Sequence, residues 1–277
     1  MITTATGHRT TMISRAPQGG QTPGTASWAP PEAVTPEPPR RLRGRLLRQY
    51  WDDVAMAHWP VDPEQVARLL PAGCRPDTLD GRTYVGLIGF RMVKLGFGPG
   101  PGLPWLGTFL ETNVRLYTVD RLGRRGVYFC SLDAQRALPV LGARLALRLP
   151  YEWSRMSLER HGDELTYRCR RLLPRPAAQG SMTVRVGEPM TAPSALDHFL
   201  TARWGLHVRW YGGRTLYLPN RHEQWPLAAA SLIRLDDDPI GGLLGRAGFA
   251  VGGEPVSVVY APRVRVEFGP GDVVPTE

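Results

Sequence analysis

The 277-residue chain is almost devoid of lysine. Lys94 is the only one, and the other 33 basic residues are arginine. One side-chain amine is therefore available for imine chemistry, which needs an amine nucleophile. Cysteine is also scarce. Cys74, Cys130 and Cys169 lie far apart, without C-x-x-C spacing. That excludes a disulfide framework or a zinc knuckle and fits reduced thiols in a cytosolic protein. The six histidines are scattered with neither H-x-H nor H-E-x-x-H spacing, and no G-x-S-x-G occurs. No metal, no cofactor and no serine nucleophile elbow are expected. A run of about 18 apolar residues is missing, so no membrane span is expected. The first residues hold no apolar h-region, so no secretory signal is expected and the localisation reads as cytoplasmic. The Gly96–Gly100 run GFGPG lacks a following helix and is not a phosphate cradle.

The charge is +9, but residues 1–49 contribute seven Arg against two Glu. The remaining 228 residues carry only +4, too thin a field for a nucleic-acid face. Residues 1–44 are rich in Pro, Thr, Gly, Ser and Arg without periodicity and are expected to be a disordered tail. Residues 45–270 are expected to form one domain. Asp62-Pro63 opens a short helix over 63–70, with Asp as N-cap and Pro in the first turn. Ser194-Ala-Leu-Asp197 opens a second, to about Trp204. The apolar stretch Leu138–Leu149 reads as a third. About ten strands with hairpin spacing fill the rest, including Tyr50–Val61, Thr83–Leu95, Tyr151–Arg160, Glu164–Leu172 and Pro255–Phe268. Gly86 and Gly89 inside a strong strand mark bulges or close backbone approach. The pattern argues an α+β, mostly antiparallel, β-barrel-like single domain with a few short helices.

The most informative strand is Thr108–Val119. It is dense in β-branched and aromatic residues and free of Pro and Gly. Alternation places Leu110, Thr112, Val114 and Leu116 on one face and Glu111, Asn113, Arg115 and Tyr117 on the other. Turned into a barrel, the second face is a binding site; turned to water, it is a solvated face. Glu111 and Arg115 read either as a structural ion pair or as a proton-transfer carboxylate and a carboxylate clamp. His58 reads either as a core histidine or as a second proton-transfer group. His222 and Trp225, beside Pro226, read as fixing a strand entry.

Six segments fall in one order: His58-Trp-Pro-Val-Asp62, Leu69-Leu-Pro71, Tyr84-Val-Gly-Leu-Ile-Gly-Phe-Arg91, Glu111-Thr-Asn-Val-Arg115, Phe129-Cys-Ser-Leu-Asp133 and His222-Glu-Gln-Trp-Pro-Leu227. Over roughly 45–268 the chain resembles the YqjF-like bacterial family, which carries a domain of unknown function and is similar to the acetoacetate decarboxylase-like superfamily. The resemblance implies a barrel with a central cavity, with Glu111 as its carboxylate. It also implies a departure. Acetoacetate decarboxylase uses a lysine pair, and Tyr151 and Glu152 stand at the matching positions, where neither can form an imine. Tyr84, Tyr151, Glu152 and Asn113 are then expected to line the cavity with Arg115, around a small anionic ligand. The leading expectation is a lysine-independent lyase, hydratase or isomerase. A non-catalytic small-ligand binding protein, or an interaction module using the Arg-rich tail, are the alternatives. A homo-oligomer is left open.

Overall fold

A computed structural model describes residues 1–2, 28–136, 146–173 and 177–276. The helix expected at 138–149 falls mostly outside them. Helix α1 (Pro63–Leu69) starts as the sequence dictates, with Asp62 accepting from the Glu64 amide. Helix α2 (Ala195–Thr201) carries a full Ser194/Asp197 capping box. A four-residue helix α3 (Leu243–Arg246) follows later. Among the described residues, no helix is long and apolar enough to cross a membrane.

Strands dominate. In chain order they are β1 (Leu47–Val61), β2 (Cys74–Pro76), β3 (Thr83–Phe97), β4 (Phe109–Asp120), β5 (Arg125–Ala134), β6 (Tyr151–His161), β7 (Glu164–Arg171), β8 (Gln179–Pro189), β9 (Gly205–Arg209), β10 (Thr215–His222), β11 (Ala228–Asp237), β12 (Ser257–Phe268) and β13 (Asp272–Val274). The order β5-β6-β7-β8-β11-β12-β1-β3-β4 closes on itself through the β4–β5 pair, giving a nine-strand barrel. The sheet is mixed. Most pairs are antiparallel, but β5 runs parallel to both β6 and β9. A second closure shares a wall with the first. Strands β9 and β10 bridge the free half of β5 to the end of β12, where Asn220 sits opposite Phe268. The wall β12-β1-β3-β4-β5 is thus covered on both sides.

One side is dry. Val85, Leu87, Val114 and Leu116 pack there with Leu165, Met182 and Val184 from β7 and β8, and with Leu244 of α3. The cysteines are free thiols. All three are on this side, and burial pushes the Cys130 thiol up to about 12. The other side carries the polar row of β4 and faces β9, β10 and α2.

Two bulges set which side chains reach that second face. On β1, an extra residue at Asp53, in the left-handed region at φ 51°, lets Trp51 and Val54 share a face. On β5, Cys130 has no partner opposite β4, so Phe129 and Leu132 also share a face. Such insertions re-aim a strand without ending it. The two glycines of β3 are close approaches. A Cβ on Gly86 would lie 2.9 Å from the His58 ring, and one on Gly89 would lie 2.6 Å from the ring of Tyr167.

The tail boundary expected at residue 44 needs correction for residues 28–44. Trp28 lies between the guanidiniums of Arg75 and Arg121, 5.1 Å from each. The amides of Ala29 and Glu32 donate to the carbonyls of Arg121 and Gly123. Val34 packs beside β9 and β10, and the Trp204 indole donates to the Thr35 carbonyl at 3.2 Å. Arg40 pairs with Glu32 and donates to the Tyr217 hydroxyl. Composition marks such a segment as unable to build its own core. It does not reveal anchors that are supplied from residues 75–217.

Candidate functional site

Strand β4 is central in the shared wall, with β3 and β5 on either side, and nearly all of it is buried. Its row Glu111, Asn113, Arg115, Tyr117 therefore enters the protein rather than the solvent. Glu111 is 3% exposed. Burial raises its carboxyl to about 7, against hydrogen bonds from Tyr151 and Asn113 that favour the ionised form. The Tyr151 hydroxyl donates to Glu111 Oε2 at 3.0 Å.

Arg115 is 7% exposed. Its Nε donates to the Tyr117 hydroxyl at 3.1 Å, and its Nη2 to the Leu200 carbonyl at 3.1 Å and the Met56 sulfur at 3.4 Å. No carboxylate pairs with it among the described residues. The expected alternative of a Glu111–Arg115 ion pair is therefore not what the structure holds. Four strand positions separate their Cα atoms by about 13 Å, and each side chain is engaged elsewhere.

These two residues border a cavity of about 100 Å³. Tyr151 joins them from the start of β6, Gln49 and Trp51 from β1, and Thr201 and Arg203 from the end of α2. Asn220 and His222 enter from β10. Several polar atoms on this lining are buried and unpartnered: Trp51 Nε1, Arg203 Nη2, Asn220 Oδ1 and His222 Nε2. Buried polar groups are rarely left so, and a bound water or ligand atom would satisfy each of these. Arg203 is otherwise fixed. Its Nη1 pairs with Asp77, whose carboxylate also takes both bonds of Arg125 Nη1 at 2.5 Å, and its Nε donates to the Phe199 carbonyl. His222 Nδ1 lies 2.7 Å from the Glu223 carbonyl, so that nitrogen carries the hydrogen. Burial lowers its pKa to about 4.

The sequence-predicted residues divide. Glu111, Arg115 and Tyr151 line the cavity. Asn113 sits beneath it, against Glu111. His58 does not line it. Its Nε2 lies 2.7 Å from the Tyr117 hydroxyl, and since that oxygen accepts from Arg115 it donates to His58. Burial, then the Arg115 charge, hold His58 well below the usual imidazole range, so it is neutral and supports Arg115 from behind. Tyr84 packs edge-on against Phe199 at 5.8 Å, off the cavity. Glu152 points to the other face of β6, toward Arg171, which burial lowers and which Asp133 and then Glu152 raise. Arg203, Asn220, His222 and Trp51 also line the cavity, outside the residues expected from the sequence. Of these only His222 carries a signal in the sequence, that of a strand entry beside Pro226.

Comparison with known proteins agrees with this architecture. A model of the DUF2071 family of uncharacterized conserved proteins matches residues 48–265. The chain belongs to that family. A relative, the uncharacterized protein YqjF of Bacillus subtilis, is 35% identical over 186 residues, covering 67% of this chain and 76% of YqjF. Among solved structures, acetoacetate decarboxylase from Legionella pneumophila superposes with a TM-score of 0.58 at 15% identity, covering 86% of this chain and 91% of that one. An acetoacetate decarboxylase-like enzyme from Sphingomonas wittichii gives 0.56 at 14%, covering 85% and 96%. The enduracididine biosynthesis enzyme MppR, complexed with pyruvate, gives 0.58 at 14%, covering 86% and 93%. At these identities the likeness establishes the fold of this DUF2071 member and nothing about its reaction.

Proposed function

We propose that this DUF2071 protein binds a small organic anion in the Glu111–Arg115 cavity and moves a proton on it, as a lyase, hydratase or isomerase that uses no lysine. One observation carries the reading. Arg115 is a buried guanidinium without a carboxylate partner, beside a cavity. Buried charges are normally paired, and the planar fork of arginine suits a carboxylate bidentately. A ligand carboxylate supplies the missing charge. Glu111, with its carboxyl at about 7, gives and takes protons near neutrality, where a general base is most effective. Tyr151 holds the carboxylate in place and excludes water on its side. Proton abstraction next to a ligand carbonyl leaves Glu111 protonated, and the same proton returns to another atom of the ligand or to a departing group. The only lysine, Lys94, is exposed on β3 and outside the cavity lining, so imine formation at the site has no amine. That MppR holds pyruvate in a similar fold supports a small carboxylate as ligand.

A second reading, a non-catalytic binding protein, has its own support. Glu111 is the one lining group here whose pKa is brought near neutrality, because His222 is held at about 4 and Tyr151 well above 10. The test is a panel of 2-oxo, 2-hydroxy and unsaturated acids, with melting temperature read for binding and ¹H NMR in D₂O for exchange. Some acids are expected to raise the melting temperature in the wild type and not in Arg115→Gln. Exchange at carbon is expected in the wild type and lost in Glu111→Gln, which still binds. Binding without exchange selects the second reading. Failure of every acid to bind overturns both.

A further inference from the structure

The cavity lining is of two kinds. Its charged groups, Glu111, Arg115 and Arg203, come from β4 and the end of α2, and Tyr151, Asn220 and His222 add polar atoms from β6 and β10. The rest of the lining is largely apolar, with Leu46, Leu147, Leu149, Leu206, Leu218 and Phe268 contributed by five separate segments of chain. None of these segments supplies a charged lining group; the guanidiniums on the lining are Arg115 and Arg203, and Arg203 holds Asp77 through Nη1. Building on the carboxylate reading, we infer that the ligand is amphiphilic: a monocarboxylic acid whose polar end lies on Arg115 and whose short hydrocarbon tail packs on the leucine lining. A cavity of about 100 Å³ holds roughly seven to ten water-sized groups at 10–15 Å³ each. The acid therefore has about five or six carbons in all. The same lining disfavours a dicarboxylate, because its second charge would be desolvated among leucines with no counter-ion. It also disfavours very small polar acids, which leave the leucine lining uncovered and forgo the gain from removing apolar surface from water.

The experiment is a homologous series, acetate through heptanoate with succinate and glutarate, titrated by calorimetry into the full chain, the Arg115→Gln variant, and the leucine variants Leu46→Ser and Leu149→Ser. Affinity is expected to rise about fourfold per methylene, the equivalent of one buried CH₂, up to pentanoate or hexanoate, and then to level off or fall. Glutarate is expected to bind at least tenfold more weakly than pentanoate. The leucine variants are expected to weaken hexanoate more than acetate, flattening the series. Leu46 is 42% exposed, so its replacement by serine leaves the fold intact even if Leu149→Ser does not. A flat series, or glutarate binding as well as pentanoate, in a protein whose binding still requires Arg115 overturns the amphiphile and keeps the carboxylate site. Binding that survives Arg115→Gln, or no binding by any acid, overturns the carboxylate site itself.

Discussion

Tyr151 and Glu111, forty residues apart, meet across 3.0 Å with the phenol donating to the carboxylate. The tyrosine tunes an acid. Its hydrogen bond favours the ionised carboxylate, working against the burial that raises Glu111 to about 7. Tyr151→Phe should therefore raise the Glu111 midpoint further. A ¹³C NMR titration of the glutamate carboxyls would show one midpoint near neutrality in the wild type, moving upward in the variant. A downward move would mean that the hydroxyl does not donate to the carboxylate.

Arg115 gives a stability prediction opposite in sign to its functional one. It is buried without a counter-ion, and an uncompensated buried charge is expensive, so a well-packed apolar replacement is often neutral or stabilising. Against this, the Tyr117 hydroxyl and the Leu200 carbonyl lose a donor, each worth about 1 kcal/mol. Arg115→Met should melt no lower than the wild type without ligand, while losing all binding of organic acids. A drop in melting temperature beyond about 5 °C would show that the guanidinium is there to hold the fold.

The strap of residues 28–44 separates two truncations. A chain beginning at Trp28 keeps the Trp28 stacking, the Glu32 and Thr35 backbone bonds and the Arg40–Tyr217 contact. A chain beginning at Arg45 loses all of them and uncovers Val34's side of the β9–β10 cluster. The second should melt at least about 5 °C below the first, corresponding to roughly 2 kcal/mol for a domain of this size. Equal melting temperatures would mean that the strap adds no packing energy.

The local features of this fold were legible, and the long-range ones were not. The polar row of β4, the Asp62 and Ser194 caps and the close approaches at Gly86 and Gly89 follow from alternation, cap chemistry and glycine placement, each of which acts within a few residues. The parallel β5–β6 and β5–β9 pairs, the second closure and the docking of residues 28–44 depend on partners far along the chain, for which one sequence carries no period. The same holds in the cavity. Glu111, Arg115 and Tyr151 lie on strands whose inward face could be read. Arg203 and Asn220 reach it from the end of α2 and from β10, and His58 turns out to stand one residue behind, because Tyr117 intervenes.

The final prediction concerns acid stability, where two buried groups oppose each other. Glu111 has a folded pKa of about 7, above its ordinary 4.5. Its contribution is fully present below pH 4.5 and is lost as pH rises to 7. His222 has a folded pKa of about 4, below its ordinary 6.5. Its contribution is present above pH 6.5 and is lost as pH falls to 4. Each difference corresponds to about 3 kcal/mol, and the slope with pH follows the protons taken up by the unfolded chain. His58 and His207, both lowered mainly by burial, act in the same direction as His222. Between pH 6.5 and 4.5 the glutamate therefore offsets part of the loss from the histidines. Glu111→Gln removes that offset. Urea unfolding should find the variant more stable than the wild type at pH 8, by up to about 3 kcal/mol, and level with it near pH 4, so that its stability falls more steeply on acidification. His222→Gln should do the reverse and flatten the acid limb. If the Glu111→Gln and wild-type curves run parallel from pH 8 to pH 4, Glu111 titrates alike in the folded and unfolded chain, and its role as a proton-transfer group poised near neutrality falls with that result.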